Sequence, residues 1–166
     1  MKKTTHWLIT KTISDDYNLS GVERFILCIG SILPDLSPSL IYNQHTFRNR
    51  YSEFKLREEQ LKELKGLRFY LECGRLLHYV GDFFTRPHNR CTFLGSLVGH
   101  KSWERALARK FKSEFRGSSP VKCDLYLDHI NYLREKRNIE VDYEYIVNEV
   151  TYFLYSLMKG RLVEYA

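Results

Sequence analysis

The sequence predicts an all-α protein folded as a single domain, and three observations carry that prediction. Apolar residues recur at helical spacing along almost the whole chain. No run shows the Val/Ile/Thr alternation of a strand, and no Asn-Gly hairpin signal occurs. With 166 residues, 43% of them hydrophobic and 28% charged, and only nine Gly and four Pro, the chain has a globular composition and the length for one core.

The elements follow in order. Lys2 and Lys3 imitate the start of a signal peptide, but Thr4 to Asp16 is too polar for its apolar region and offers no small-residue cleavage site. A cytoplasmic protein is expected, and no helix is assigned to this stretch. Val22, Phe25, Ile26 and Ile29 recur at i, i+3, i+4 and i+7 behind the N-cap Ser20, which predicts a short buried helix. It ends near Leu33, because Pro34 disfavours helical geometry in the residue before it. The segment Leu33-Pro34-Asp35-Leu36-Ser37-Pro38 then reads as a turn that projects Asp35 from the helix exit.

Tyr51 to Lys65 interleaves Glu with Lys and Arg and predicts a solvated helix, separated by Gly66 from the next. Leu67 to Phe84 is the most apolar helical stretch and is expected to be central, with Arg86-Pro87 as its stop. Ser96 to Phe115 reads as an amphipathic helix with Leu97, Trp103, Leu107 and Phe111 on one face. Two more helices, near Val121 to Lys136 and Asp142 to Lys159, close the chain.

Composition excludes some functions and favours others. The longest apolar candidate, Phe25 to Leu33, falls far short of the roughly 18 residues of a membrane span, so no transmembrane segment is expected. Twenty-six Lys and Arg against twenty Asp and Glu leave a charge of +6, which favours anionic partners. The basic residues are spread over Arg48 to Lys65, Arg105 to Lys122 and Arg134 to Arg137 with acids between them, so no basic stripe is visible. Cys28, Cys73, Cys91 and Cys123 form no CxxC pair and read as buried reduced thiols.

The histidines carry the chemistry. His78 and Asp82 stand four apart on the central helix, so both side chains lie on one face and are able to meet one metal. His100 and Glu104 repeat that spacing on the following helix, and His88 sits just past the turn at Pro87. Five imidazole or carboxylate groups in this arrangement suit zinc. An i, i+4 His/Asp pair alone is equally a side-chain hydrogen bond; His88 between two such pairs, beside apolar Phe83, Phe84, Leu97 and Trp103, favours the metal.

This pattern resembles the zinc-binding core of the zinc-dependent phospholipase C family, which is akin in fold to the single-strand-specific zinc nucleases. Thr5-His6-Trp7-Leu8-Ile9 is similar to the family's N-terminal histidine segment, and Gly30-Ser31-Ile32-Leu33-Pro34-Asp35 resembles its Gly-x-x-x-Pro-Asp turn. His45 falls where a further ligand is expected. The resemblance runs from Thr5 to Glu104 and leaves only His129 unused. It implies a helical bundle of that type and a cluster of two or three zinc ions. One ion would be held by Asp35, His45, His78 and Asp82, a second by His88, His100 and Glu104, and a third by His6 with Asp82 as a bridge.

The chain departs from the family in two respects. In secreted members an N-terminal Trp binds one zinc through its amine and carbonyl, whereas this sequence begins with Met1 five residues before His6, which makes a two-metal site the alternative. It is also shorter than those enzymes, which leaves little chain for substrate-binding loops.

The implied reaction is phosphoric ester hydrolysis by a water whose pKa zinc lowers to about 7. Asp35 is the expected catalytic carboxylate, orienting or deprotonating that water. Arg86, Asn89 and Lys101 adjoin the ligands and are candidates for phosphate contact, with an ordinary solvated role as the alternative. The partner implied is a phosphate ester, either a phospholipid headgroup with peripheral membrane contact or a nucleotide. Three readings stay open: a phospholipase C-like hydrolase, a nuclease or nucleotidase of the same fold, and a helical metal-binding protein without turnover. A Ser-His-Asp hydrolase is disfavoured, since no Gly-x-Ser-x-Gly elbow occurs.

Overall fold

A computed structural model describes residues 1–36, 46–89, 97–116 and 119–164, the side chains of 97–98 and 160–164 excepted. Among these are eight α-helices, one 3-10 turn and no strand: α1 (Lys3–Ser14), α2 (Gly21–Ile32), the turn Pro34–Leu36, α3 (Phe47–Leu61), α4 (Gly66–Phe83), α5 (Arg86–Asn89), α6 (Leu97–Glu114), α7 (Leu125–Arg134) and α8 (Ile139–Glu164). The all-α single-domain architecture is the expected one.

Helix α4 is the hub. Cys73, Leu76, Leu77, Val80 and Phe83 are all buried, and α1, α2, α3 and α8 pack around it. Burial on several sides explains why its sequence is the most apolar of the helical stretches. Gly66, at φ +58°, makes the turn that enters α4 from α3.

The tightest contact is between α2 and α4. A Cβ on Gly30 would lie 2.2 Å from the Leu71 carbonyl oxygen, and one on Gly74 would lie 2.1 Å from that of Leu27. The two backbones meet glycine to glycine, and no side chain fits between them. This approach brings the carbonyl of Ser31 against His78.

Three local expectations are corrected. Residues 3–14, assigned no helix, form α1, whose buried His6, Ile9, Thr10 and Ile13 recur at i, i+3, i+4 and i+7. In α2 the buried side is Leu27, Cys28, Gly30 and Ser31, whereas Val22 and Phe25 are 59% and 54% exposed. The glycine contact with α4 decides which side of this apolar helix turns inward. Helix α3 begins at Phe47 and is more than a solvated surface element, since Phe47, Phe54 and Leu61 reach the core.

Capping fixes the start of α2. Ser20 accepts from the Glu23 amide while Glu23 accepts from the Ser20 amide, a closed capping box. Cys28 and Cys73 are buried free thiols and Cys123 is half-buried, while Cys91 lies outside the described residues. No described helix is long and apolar enough to cross a membrane.

Candidate metal centre

The first cluster gathers on Asp82, fully buried near the end of α4. One turn earlier on the same helix His78 places Nε2 3.2 Å from Asp82 Oδ2, and from α1 His6 brings Nε2 to 3.3 Å from Asp82 Oδ1. The two imidazoles stack with centroids 4.0 Å apart. His78 is aimed by its other nitrogen, for Nδ1 lies 3.0 Å from the Ser31 carbonyl oxygen. A carbonyl only accepts, so Nδ1 carries a proton, and Nε2, the nitrogen on the Asp82 side, is the atom that would ligate a metal. The Gly30/Gly74 contact is what lets that carbonyl come so close.

A second cluster adjoins the first. His88 on α5 and His100 and Glu104 on α6 bring ligand atoms within 4.8 Å of one another, as do His6, His78 and Asp82. His88 links the two: its Nδ1 is 3.4 Å from Asp82 Oδ2 and its Nε2 3.9 Å from Glu104 Oε1. His100 Nε2 is 3.3 Å from Glu104 Oε1. Asp35, in the 3-10 turn, sets Oδ1 3.8 Å from His78 Nε2. His45 lies outside the described residues.

Sequence reasoning missed one member of this centre. The α-amino group of Met1 is buried, 2.5 Å from Asp82 Oδ1, 3.2 Å from His88 Nε2 and 3.7 Å from Glu104 Oε1. A backbone amine carries no residue-type signature, and only its distance from His6 along the chain hinted at it.

Titration follows from this crowding. Burial, with His78 next, holds His6 well below the ordinary histidine range, and burial lowers His88 despite the nearby Asp82. Burial alone would raise Asp82, but His88, the Met1 amine, His78 and His6 together hold it well below the usual carboxylate value. Glu104 is likewise brought down, to about 2, as His88, the amine and His100 outweigh its burial. Burial lowers the Met1 amine, yet Asp82 and Glu104 prevail and raise it, so a cationic group already stands between the two carboxylates.

The donor set fits zinc. Neutral imidazoles and ionised carboxylates are the forms that zinc takes, and His6 Nε2 is buried without a hydrogen bond.

The flanking elements are held by Asp142 on α8. This buried carboxylate accepts from the Arg86 amide at 2.9 Å, Trp103 Nε1 at 2.8 Å and Tyr132 Oη at 2.8 Å, tying α5, α6 and α7 together beside His88 and Glu104. Two of the candidates for phosphate contact are corrected here. Arg86 is fully buried, donates to the carbonyls of Tyr132 and Glu135, and covers the Tyr132 ring, so it is a strut. Asn89 is spent on the Phe83 and Thr85 carbonyls. Lys101 is exposed on α6.

A third group, Cys123, Asp128 and Glu149, also brings its ligand atoms within 4.8 Å, far from these residues in sequence. His129, left over by the motif, stacks flat on Phe47 in the core.

The family model described as zinc dependent phospholipase C matches residues 5–161. Neither a curated protein nor a solved structure matches the chain.

Proposed function

The chain belongs to the zinc-dependent phospholipase C family, and from that premise we propose that it hydrolyses the phosphodiester of a phospholipid headgroup. His6, Asp35, His78, Asp82, His88, His100 and Glu104, with His45 as a further ligand, would hold two or three zinc ions. The observation that carries this reading is the fully buried Asp82 ringed by imidazoles, with Oδ1 facing His6 and Oδ2 facing His78 and His88. A two-oxygen group so placed is suited to bridge.

Bound zinc supplies an acidic water at neutral pH and positive charge for the phosphoryl oxygens. The protein's own groups do the rest. Ser31 keeps the His78 ring aimed inward, and Asp35, with 15% of its side chain open to solvent, would orient the attacking water and take its proton at Oδ1. His100 and Glu104 stand at the open side of the cluster, 31% and 16% exposed, where a substrate would enter. A lipid rather than a nucleotide is favoured by Leu36, which directly follows Asp35 and is 55% exposed, and by exposed Val22 and Phe25 on the helix leading to it.

Two measurements test the reading. Metal analysis after zinc reconstitution is expected to give two or three zinc per chain, and fewer than one overturns the cluster. Hydrolysis of short-chain phosphatidylcholine is expected to exceed that of single-stranded DNA and of a nitrophenyl phosphodiester. The reverse order moves the assignment to a nuclease, and no turnover at full metal occupancy moves it to a metal-binding protein.

A further inference from the structure

No basic stripe is visible in the sequence, but folding makes one. The start of α1 lies along α6, and between them runs a groove of about 580 Å³ lined by Lys2, Thr4 and Thr5 on one side and Arg105, Arg109 and Lys112 on the other. The three α6 cations stand at i, i+4 and i+7, one face of the helix. No carboxylate lines the groove, and among the described residues none of its four cations is paired with one. Like charges at this spacing repel and weaken a helix unless an anion lies between them.

Two further features adjoin this groove. The twelve-residue α1 has no side-chain cap at its N-terminus, the positive end of its dipole. Thr5 is only 3% exposed, lines the groove, and has an Oγ1 with no hydrogen-bond partner. A buried hydroxyl left unmet is destabilising, and an oxyanion in the groove would satisfy it.

We propose that this groove is a binding site for a phosphate group, held by Lys2, Arg105, Arg109 and Lys112 and by the Thr5 hydroxyl. It is separate from the metal centre. Lys2, Thr5 and Arg105 each adjoin a member of that centre in sequence, namely Met1, His6 and Glu104, yet no member of that centre lines the groove. The guanidinium pair gives it the planar, charge-assisted donors that phosphate takes. The phosphate belongs either to a soluble ion or to a phosphomonoester headgroup at a membrane surface.

The test uses the zinc-loaded full chain titrated with inorganic phosphate by calorimetry at low salt. The wild type is expected to bind one phosphate more per chain than R105Q/R109Q, or to bind it about tenfold more tightly. Zinc content should be the same in both, which separates this site from the metal reading. Thr5→Val, of nearly equal volume, is expected to weaken the same event several-fold. Flotation with phosphatidylcholine vesicles, with and without phosphatidic acid, identifies the source. Binding that needs phosphatidic acid and is lost in R105Q/R109Q assigns a lipid headgroup; phosphate binding without vesicle binding assigns a soluble ion. Equal phosphate stoichiometry and affinity in wild type and R105Q/R109Q overturns the site.

Discussion

Among the described residues three groups bring ligand-type atoms within 4.8 Å; two of them meet around Asp82, and the third, at Glu149, has the opposite chemistry. Around Asp82 the neighbours are three imidazoles and an amine, so burial is outweighed and the carboxylate stays ionised. Around Glu149 burial acts together with Asp128 and Asp124, and the carboxyl is pushed up to about 8. The nearby Cys123 thiol is raised to about 12, first by its own burial and then by Glu149. At neutral pH Glu149 and Cys123 therefore keep their protons, whereas Asp82 stays a charged carboxylate among imidazoles and an amine. Proximity of donors does not make a metal seat; the sign of the charge that surrounds them does.

Removal of the shared carboxylate tests that contrast most severely. Asp82→Ala is expected to lower bound zinc by more than one equivalent and to slow hydrolysis on the order of a thousandfold, as the bridging role proposed for it requires. Circular dichroism of the isosteric Asp82→Asn separates loss of metal from loss of fold. Zinc retained in full by Asp82→Ala would erase the distinction between the two clusters.

Glu149→Gln is the matching test at the other cluster, with a smaller effect of a different kind. Zinc content should not change. Because the folded state raises this carboxyl from 4.5 to about 8, folding takes up a proton there, and wild-type stability falls as pH climbs through that window and is level above it. The loss amounts to a few kcal/mol. Urea melts at pH 5 and pH 8.5 should show this decline in the wild type and a flatter profile in the glutamine variant. A drop in zinc instead would make the second cluster a metal site.

Much of this was legible in the sequence, for physical reasons that differ by element. The central helix was readable nearly to the residue, Leu67 to Phe84 against the observed Gly66–Phe83, because its apolar stripe and the Pro87 stop are local signals. Helix α1 was not, since Thr4, Thr5, Thr10 and Thr12 are indifferent helix formers and no side chain caps its start; packing against α2, α4 and α6 supplies what propensity lacks. Its buried stripe was present but half made of Thr and His. In the site, the i, i+4 pairs His78/Asp82 and His100/Glu104 were visible as spacing. The Ser31 carbonyl and the Met1 amine were not, because backbone groups have no spelling, and the carbonyl's place depends on the close approach of Gly30 and Gly74. The basic groove was hidden because its two walls are some hundred residues apart in sequence.

His129 gives the smallest effect and sharpens the comparison from outside both clusters. It is a histidine 5% exposed, as buried as a ligand, yet it meets rings rather than carboxylates: Phe47 at 3.8 Å, nearly parallel, and Phe84 at 5.8 Å, with Nε2 3.1 Å from Asn89 Oδ1. Burial pulls it down to about 4, so the folded protein holds the neutral ring and stability that is complete above 6.5 is lost as pH falls toward 4. His129→Ala should lower stability at pH 7 by about 2 kcal/mol through lost packing and leave zinc untouched. His129→Phe should keep the packing and remove the acid-side decline. A loss of zinc in His129→Phe would mean that a buried neutral imidazole serves the metal without a carboxylate beside it, and the charge argument drawn from Asp82 would fall with it.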